Sequence, residues 1–326
     1  YNPASGTLNF AAGQDSATFT VTIFADDDVE NDETVLLNLS NPTDGAVLGS
    51  RPTAVLSLLN DDSAPGPGIV DVNYLPLGAN GRVSSLDLDN DGKLLVGGDF
   101  TVLGGLSRNR IARLNADGTI DGTFLPSAYA NNSIEAVAIQ PLDVKILIGG
   151  TFTVVNGVAR NRIARLNTDG TLDLTFNPGS GFNNTVQAID VQTNTRILIG
   201  GDFTTFNGSG QPRLVRLLSD GSLDATFNPG SGPNNSVWSL QIQSDGRILM
   251  GGVFTAIDGQ PRSRVAMLLG TGALDASFDP GEGPNSHVRS VLAQPDGKIL
   301  IGGDFTVVNG TSRNRVARLS STGILD

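Results

Sequence analysis

The sequence contains no cysteine and a single histidine, His287. The lack of cysteine excludes disulfide bonds, thiol catalysis and cysteine–zinc sites. One histidine nearly excludes a histidine-based triad or a multi-histidine metal site within this chain. No apolar run approaches the roughly 18–20 residues of a membrane-spanning helix. No segment has helical periodicity over three turns, so a β-rich fold is expected.

Positive charge is nearly missing from residues 1–62, which hold ten acidic residues and one basic residue, Arg51. The remainder is close to balance, with 23 acidic and 20 basic residues, and the whole chain carries a net charge of −12. Because phosphate binding needs a basic surface, nucleic acid is not an expected partner. An acidic block of this density favours a bound cation instead.

Glycine, by contrast, is abundant at 41 residues, and part of it recurs with a fixed period. The string Gly-Gly-x-Phe-Thr occurs at 97–101, 149–153, 200–204, 251–255 and 302–306. An Asn-Gly pair or a variant, an arginine-containing strand, and an Ile-Asp or Leu-Asp pair follow in phase. Such self-similarity predicts a repeat architecture. The expected copies span about 71–120, 121–172, 173–223, 224–274 and 275–325.

The last copy shows how one repeat is expected to fold. Segments 287–294, 298–302, 315–320 and 324–326 are predicted as strands, with a tight turn at Asn309-Gly310. Four short antiparallel strands in about 50 residues predict one blade of a β-propeller. We expect the strand that ends in Gly-Gly to be the inner one, because glycine removes Cβ atoms that would crowd the axis.

Residues 71–326 also resemble a known repeat. The pattern Asp-Gly-Lys-Ile-Leu-Ile-Gly-Gly-Asp-Phe-Thr, with Asn-Gly and Arg-Asn-Arg-Val-Ala-Arg-Leu after it, resembles the bacterial delta-60 repeat, a kelch-like propeller repeat. Members of that family look like large secreted or surface proteins, so the resemblance implies an extracellular location. Kelch-like propellers include both enzymes and binding proteins, so the fold leaves the function open.

In the acidic segment, residues 18–24, 34–40 and 53–59 are predicted as strands. Acidic clusters follow the first strand, at 26–33, and the third, at 60–62. If successive strands alternate in direction, both clusters lie at one pole, where the carboxylates would repel one another. Ca²⁺ suits such a pole because it takes six to eight oxygen ligands. The alternative is a solvated acidic turn.

The same segment resembles the C-terminal half of a Calx-β domain, through Tyr1-Asn-Pro-Ala-Ser-Gly-Thr-Leu-Asn-Phe, Asp-Asp-Asp-x-Glu-x-Asp-Glu-Thr and a final Asn-Asp-Asp. Calx-β domains are β-sandwiches, and several bind Ca²⁺ at this pole. The resemblance implies these ligands: Asp26, Asp27, Asp28, Glu30, Asp61 and Asp62. The fold class is therefore predicted as all-β. It comprises a partial Calx-β-like sandwich at 1–62, a linker at 63–68, and a propeller of about five four-stranded blades at 69–326.

Few residues of the repeats stand out as candidate ligand-binding positions. The recurring arginines either form an anion-binding ring or, as their equal recurrence with Asp121, Asp173, Asp224 and Asp275 favours, pair with those aspartates. Trp238 is expected in the core, with stacking on a sugar as the alternative. Met267 replaces a repeated arginine, and Glu282 and His287 occur in one copy each. His287 has no acid partner evident in the sequence, and no catalytic residue is predicted.

The expected function is that of a non-catalytic extracellular structural or adhesive module, stiffened by Ca²⁺, in a larger bacterial surface or filament protein. Expected partners are other copies or other domains of the same long chain, or a surface glycan or protein. One alternative is a glycan- or protein-binding receptor propeller, and a second is a hydrolase that uses the propeller mouth. We also expect this sequence to be part of a longer polypeptide, because the predicted sandwich lacks its first strands.

Overall fold

The computed structural model of the chain describes residues 5–14, 16–21, 33–48, 53–58, 78–124 and 130–326. The chain divides into two compact units, Tyr1–Asn73 and Tyr74–Asp326. All regular structure in the described ranges is β-strand, which confirms the all-β class. Across those ranges, no helix has the length and apolar character needed to cross a membrane.

In the N-terminal unit, strands Glu33–Asn38 and Thr53–Leu58 pair antiparallel. Alternation along the first strand buries Val35 and exposes 68 % of Leu36. Two of the three predicted strands are thus found: the one predicted at 34–40 begins one residue earlier and ends two residues earlier, and the one predicted at 53–59 begins where it was predicted. The strand predicted at 18–24 is wrong for residues 18–21, which form no strand, and residues 22–24 lie outside the described part. The reason is that a strand needs a neighbour for its backbone hydrogen bonds, and no segment in the described ranges pairs with residues 18–21.

The propeller unit repeats one three-stranded antiparallel sheet five times, with the second strand in the middle of each. The first strands, here called inner strands, are Val83–Leu88, Ile134–Ile139, Val186–Val191, Val237–Ile242 and Val288–Ala293. The second strands are Leu94–Gly98, Ile146–Gly150, Ile197–Gly201, Ile248–Gly252 and Ile299–Gly303. The third strands are Ile111–Leu114, Ile163–Leu166, Leu214–Leu217, Val265–Leu268 and Val316–Leu319.

A small hairpin joins the second and third strands of every blade. Its two-residue strands are Val102–Leu103 with Leu106–Ser107, Val154–Val155 with Val158–Ala159, Thr205–Phe206 with Ser209–Gly210, Ala256–Ile257 with Gln260–Pro261, and Val307–Val308 with Thr311–Ser312. The predicted tight turn is present, since Asn309 and Gly310 have φ values of 47° and 72°.

The predicted fourth strand is reduced to a single bridge in each blade. In the second blade Leu172 pairs with Leu166, and no further described residue continues the ladder. The aspartate after this bridge position begins a turn, as in the first blade, where the Phe124 N–H donates to the Asp121 carbonyl oxygen. The turn carries the chain away before a longer outer strand can form.

The inner strands of consecutive blades pack against one another, so they lie nearest the axis. Our expectation that the Gly-Gly strand is innermost is therefore wrong, and the glycines serve another purpose. A Cβ on Gly200 would lie 2.7 Å from Cγ1 of Val237 in the next blade. A Cβ on Gly201 would overlap the carbonyl oxygen of Thr185, beside the bulge of its own inner strand. The glycine pair thus allows close approach both between and within blades.

The hydrophobic core lies mainly between neighbouring blades. One cluster joins Leu95 and Ile111 of the first blade to Ile134 and Phe152 of the second. The phenylalanine of each Gly-Gly-x-Phe-Thr string is fully buried. Because each blade buries its apolar face against the next, the blades form one continuous packed unit. Inner-strand packing links the blades in sequence, and no comparable packing joins the described inner strands of the first and fifth blades.

Candidate functional site

The predicted calcium ligands all lie outside the described residues, namely Asp26, Asp27, Asp28, Glu30, Asp61 and Asp62. Among the residues that the structure does describe, no three His, Asp or Glu side chains are grouped so as to hold a metal ion. The calcium site therefore stays a prediction. The geometry that can be examined is that of the charged and polar residues of the propeller unit.

The arginines of the third strands bind the repeated aspartates. Arg–Asp distances between Nε and Oδ2 are 2.7–2.8 Å in the first three blades, and both partners there are buried. The pairs are Arg113–Asp121, Arg165–Asp173 and Arg216–Asp224. A second cation approaches the same carboxylate oxygen in each, as when Lys145 Nζ lies 2.8 Å from Asp173 Oδ2. The structural interpretation of the arginines matches this geometry.

The carboxylate of Asp173 illustrates how completely these groups are engaged. Its Oδ1 atom accepts hydrogen bonds from the backbone N–H and hydroxyl of Thr175. Burial would raise the pKa of Asp173, but the hydrogen bonds from Lys145, Thr175 and Arg165 outweigh it and hold the pKa well below its usual range. A buried charge is tolerated when it is paired and hydrogen-bonded in this way.

The same arginines also connect consecutive blades. Arg165 Nη1 donates to the Ser219 carbonyl oxygen at 2.6 Å, in a turn of the next blade. Its guanidinium carbon lies 5.1 Å from the ring centroid of Phe176, a cation–π distance. Each such arginine therefore ties together its own blade's outer aspartate, an aromatic ring and the neighbouring blade.

The fourth blade lacks this arginine and has Met267 in its place, fully buried. Its aspartate, Asp275, keeps the hydrogen bonds from Ser277, and Arg247 Nη1 approaches it at 3.5 Å. Burial opposes ionisation here as well, yet the Ser277 bonds and Arg247 still lower the pKa of Asp275. Because Met267 replaces the arginine, one cation lies beside Asp275, whereas two cations lie beside the equivalent aspartate of the other blades.

Two carboxylates lie on the inner strands and engage the next blade's backbone. Asp87 Oδ2 accepts from the Ile139 N–H, and Asp190 Oδ2 accepts from the Ile242 N–H, each at 2.6 Å. Burial raises the pKa of both, and the charge of Asp87 adds to the rise at Asp190. The pKa shift of these two carboxylates is therefore opposite in direction to that of the arginine-bound aspartates.

A cluster of charged and aromatic side chains surrounds the single tryptophan. Trp238 lies at the bulge of its inner strand and is half-buried, so its expected position in the core is wrong. The Arg289 guanidinium carbon lies 5.1 Å from the Trp238 ring centroid, and the His287 ring meets it edge-on at 5.2 Å. Glu282, the other residue singled out in this copy, is exposed on a loop outside this cluster. We call Trp238, His287, Arg289 and Asp304 the tryptophan cluster.

Asp304 completes the tryptophan cluster. It accepts hydrogen bonds from Nε and Nη2 of Arg289, the latter at 2.8 Å, and lies 3.5 Å from His287 Nδ1. The hydrogen bond from Arg289 holds the pKa of Asp304 below its usual value. The sequence did not reveal this acid partner of His287, because Asp304 belongs to the repeated Gly-Gly-Asp-Phe string and looked like an ordinary repeat residue.

A cavity of about 360 Å³ lies beside the third and fourth blades, lined in part by Gln211, Arg216, Asp224 and Phe227. Two of its lining charges, Arg216 and Asp224, are bound to each other at 2.8 Å. The charged lining of the cavity therefore belongs to the repeated Arg–Asp pair, and it does not form a separate ligand-binding arrangement.

Comparison with known proteins agrees with this architecture. A model described as "Domain of unknown function (DUF5122) beta-propeller" matches residues 90–124, 143–176, 192–227, 243–278 and 294–326. A Calx-beta domain model matches residues 1–62. The search of curated proteins gives no significant match. The narrower delta-60 or kelch-like naming is not confirmed by these matches.

Solved structures similar to this chain include the WD40 beta propeller domain of Doa1, with a TM-score of 0.52 and 15 % identity over 77 % of this chain and 70 % of that one. U3-55K gives a TM-score of 0.45 and 11 % identity, over 75 % of this chain and 65 % of that one. The extracellular domain of a two-component system from B. thetaiotaomicron gives 0.47 and 15 %, over 76 % and 30 %. The first of these supports the propeller fold alone. Since the five matched segments cover just over half of the sequence, the chain belongs to the DUF5122 beta-propeller family.

Proposed function

We propose that this chain is a non-catalytic structural or adhesive module of an extracellular bacterial surface or filament protein. The observation that carries the proposal is the use of the recurring charges. The arginines and aspartates that could have formed an anion-binding ring are buried against one another in the first three blades. Side chains committed to holding blades together contribute to rigidity and leave little charge for a ligand.

Calcium is proposed as the stiffening ion of the N-terminal unit. Support comes from the match of residues 1–62 to a Calx-beta domain and from the acidic clusters at 26–33 and 60–62. A cation that neutralises converging carboxylates stabilises the folded state by mass action. An extracellular location accords with this proposal, because Ca²⁺ sites of weak affinity are typical of extracellular modules.

Single-molecule stretching of the full chain tests this proposal. We expect the force that unfolds the N-terminal unit to be higher in Ca²⁺ than in chelator, while the force for the propeller unit stays unchanged. The double variant Asp61→Asn/Asp62→Asn should lose the calcium response. Equal forces in Ca²⁺ and chelator would remove calcium stiffening from the proposal.

A receptor propeller is the second candidate, and the tryptophan cluster favours it. A half-buried indole beside a cation and a carboxylate presents both a stacking face and hydrogen-bonding groups. Surface glycans or proteins are the proposed ligands of such a receptor. A glycan array with the wild-type chain and Trp238→Ala distinguishes the two candidates. Binding that is lost in Trp238→Ala supports a receptor, and no binding by either chain supports the structural module.

A further inference from the structure

The cavity beside the third and fourth blades lies where the repeat normally carries a further arginine. This arginine follows the small hairpin and is distinct from those that bind the repeated aspartates. It is present in four blades, as Arg108, Arg160, Arg262 and Arg313. The third blade has Gln211 at the same position, and Gln211 lines the cavity. The cavity therefore lies at the copy in which this side chain is shorter and uncharged.

Arg262 of the fourth blade shows where the arginine goes when it is present. Its side chain is 13 % exposed, and its Nη1 lies 4.0 Å from Oδ1 of Asp279. Asp279 belongs to the loop that leads into the next inner strand, and Asn228, which lines the cavity, is its counterpart one repeat earlier. The Nε atoms of Arg108, Arg160 and Arg262 are buried. The arginine thus enters the space between its own blade and the following loop, and that space is open beside Gln211.

A backbone acceptor for a guanidinium group is present at the cavity. In all four arginine-bearing blades, Nη1 of this arginine donates to the carbonyl oxygen of the preceding residue at 2.7–3.0 Å. Gly210 precedes Gln211 and lines the cavity. The Gly210 carbonyl oxygen is therefore the equivalent acceptor in the third blade.

Asn228 supplies a side-chain acceptor. Its Oδ1 accepts the Gly230 N–H at 3.0 Å, just as Asp279 Oδ1 accepts the Gly281 N–H at 2.9 Å, so the two oxygens are held in the same way. An amide oxygen that accepts one N–H retains capacity for a second. Methylene groups pack well against apolar lining, as the stems of long cationic side chains do. The apolar lining here includes Pro212, Val215, Leu223 and Pro229.

We propose that this cavity binds a guanidinium group from outside the chain, carried by a free guanidino compound or by an arginine side chain of another protein. The ligand takes the place of the missing internal arginine. Its planar cation lies between the Gly210 carbonyl oxygen and Asn228 Oδ1, and its methylene stem packs against the apolar lining. Such binding is independent of the proposed structural role, since it requires neither calcium nor an extracellular location.

The charges of the cavity wall permit this ligand but keep its affinity low. Arg216 and Arg196 both approach Asp224 Oδ2, at 2.8 and 3.3 Å, so that carboxylate is already paired. Arg216 does not exclude a second guanidinium, because the second blade holds Arg160 and Arg165 at the positions of Gln211 and Arg216. With an amide instead of a carboxylate as the side-chain acceptor, we expect millimolar affinity.

Saturation-transfer NMR on the full chain at constant ionic strength tests the proposal. The first probe is n-propylguanidinium, which has the stem and cation of an arginine side chain, and n-butylammonium is the control with the cation of lysine. Because a planar guanidinium can donate to two acceptors at once, it should bind about fivefold tighter or more than the ammonium. The second probe is the acetylated and amidated peptide Gly-Arg-Gly. Tighter binding of the peptide supports an arginine side chain of a protein as the ligand, and equal or weaker binding supports a free guanidino compound.

Variants show whether binding occurs in this cavity. Gln211→Arg fills it from within and should abolish binding of both probes. The matched control Gln260→Arg adds the same charge at an exposed hairpin position of the fourth blade and should leave binding unchanged. Asn228→Asp supplies the carboxylate that Asp279 offers to Arg262, so it should tighten binding about threefold or more.

Unchanged cooperative melting of each variant shows that it is folded. The proposal is overturned if neither probe binds the wild type, or if n-butylammonium binds as tightly as n-propylguanidinium. It is also overturned if Gln211→Arg binds the probes as well as Gln260→Arg does.

Discussion

Arg165 Nε donates a 2.7 Å hydrogen bond to Asp173 Oδ2, and both side chains are buried. Because a buried carboxylate that loses a cation is left partly uncompensated, Arg165→Met should lower the free energy of unfolding by about 3 kcal/mol. The matched control is Arg318→Met, the same substitution at an exposed pair, which should cost no more than about 1 kcal/mol. Denaturant unfolding measures both, and equal losses would show that burial of the pair is irrelevant.

Replacing the first glycine of a second strand by alanine should lower stability only where another blade packs against that glycine. Gly200→Ala places a Cβ against Val237 and Leu240, so we expect a loss of about 1–3 kcal/mol from overpacking. Gly302→Ala has open space and should leave stability of the monomeric chain unchanged. Thermal melting at low protein concentration gives the comparison. A Gly200→Ala chain that melts with the wild type would contradict the observed approach of the blades.

Two classes of aspartate should contribute to the free energy of unfolding with opposite dependence on pH. The pKa values of Asp121, Asp173, Asp224 and Asp275 are lowered in the folded state. Their stabilisation is present above the unfolded pKa of about 4 and is lost as pH falls through the folded values. Asp173→Asn should therefore lower stability at pH 7, and its difference from the wild type should shrink below about pH 4.

Asp190 has the opposite sign, because burial raises its pKa in the folded state. Its charged form costs stability above the folded pKa, and that cost disappears as pH falls through this value towards the unfolded pKa. Asp190→Asn removes the charge and keeps a carbonyl acceptor for the Ile242 N–H. We expect it to be more stable than the wild type at pH 7 and equal to it near pH 3. Denaturant unfolding curves across this pH range measure the difference. An Asp190→Asn chain less stable than the wild type at pH 7 would contradict the prediction.

The fluorescence of Trp238, the single tryptophan, measures how accessible the tryptophan cluster is to solvent. Removing the guanidinium above the ring with Arg289→Ala should increase acrylamide quenching of Trp238 fluorescence, because that face of the ring becomes accessible. Arg313→Ala, whose side chain donates only to the Ser312 carbonyl, is the matched control and should leave quenching unchanged. Equal quenching in all three chains would mean that Arg289 does not cover the indole in solution.

The repeat made most of the propeller predictable from the sequence. The period and the turns follow from local chemistry, such as the positive φ values that Asn309-Gly310 accommodates. The role of the glycine pair did not follow, because Gly200 is required by Val237 of another blade and a single sequence does not show which strands meet. Likewise, Trp238 could not be placed by its strand alone, since a bulge turns it away from the core.

The parts of the candidate site that recur in every blade could be predicted from the sequence. Arginine and aspartate recur together, so their pairing could be inferred, and Arg165 with Asp173 is one instance. The tryptophan cluster could not be inferred, because it joins His287 to Asp304, an acid that looked like an ordinary repeat residue. Sequence reasoning marks unusual residues well, but their partners depend on the register between strands.

Titration of an acidic polysaccharide, polygalacturonate, into the full chain tests most directly whether the repeated arginines are structural. Buried guanidinium groups bound to aspartate are unavailable to a ligand. We therefore expect no heat of binding at millimolar uronate, and no difference between the wild type and Arg165→Met. Saturable binding by the wild type that Arg165→Met weakens, with melting of the variant confirming its fold, would contradict the structural role of these arginines.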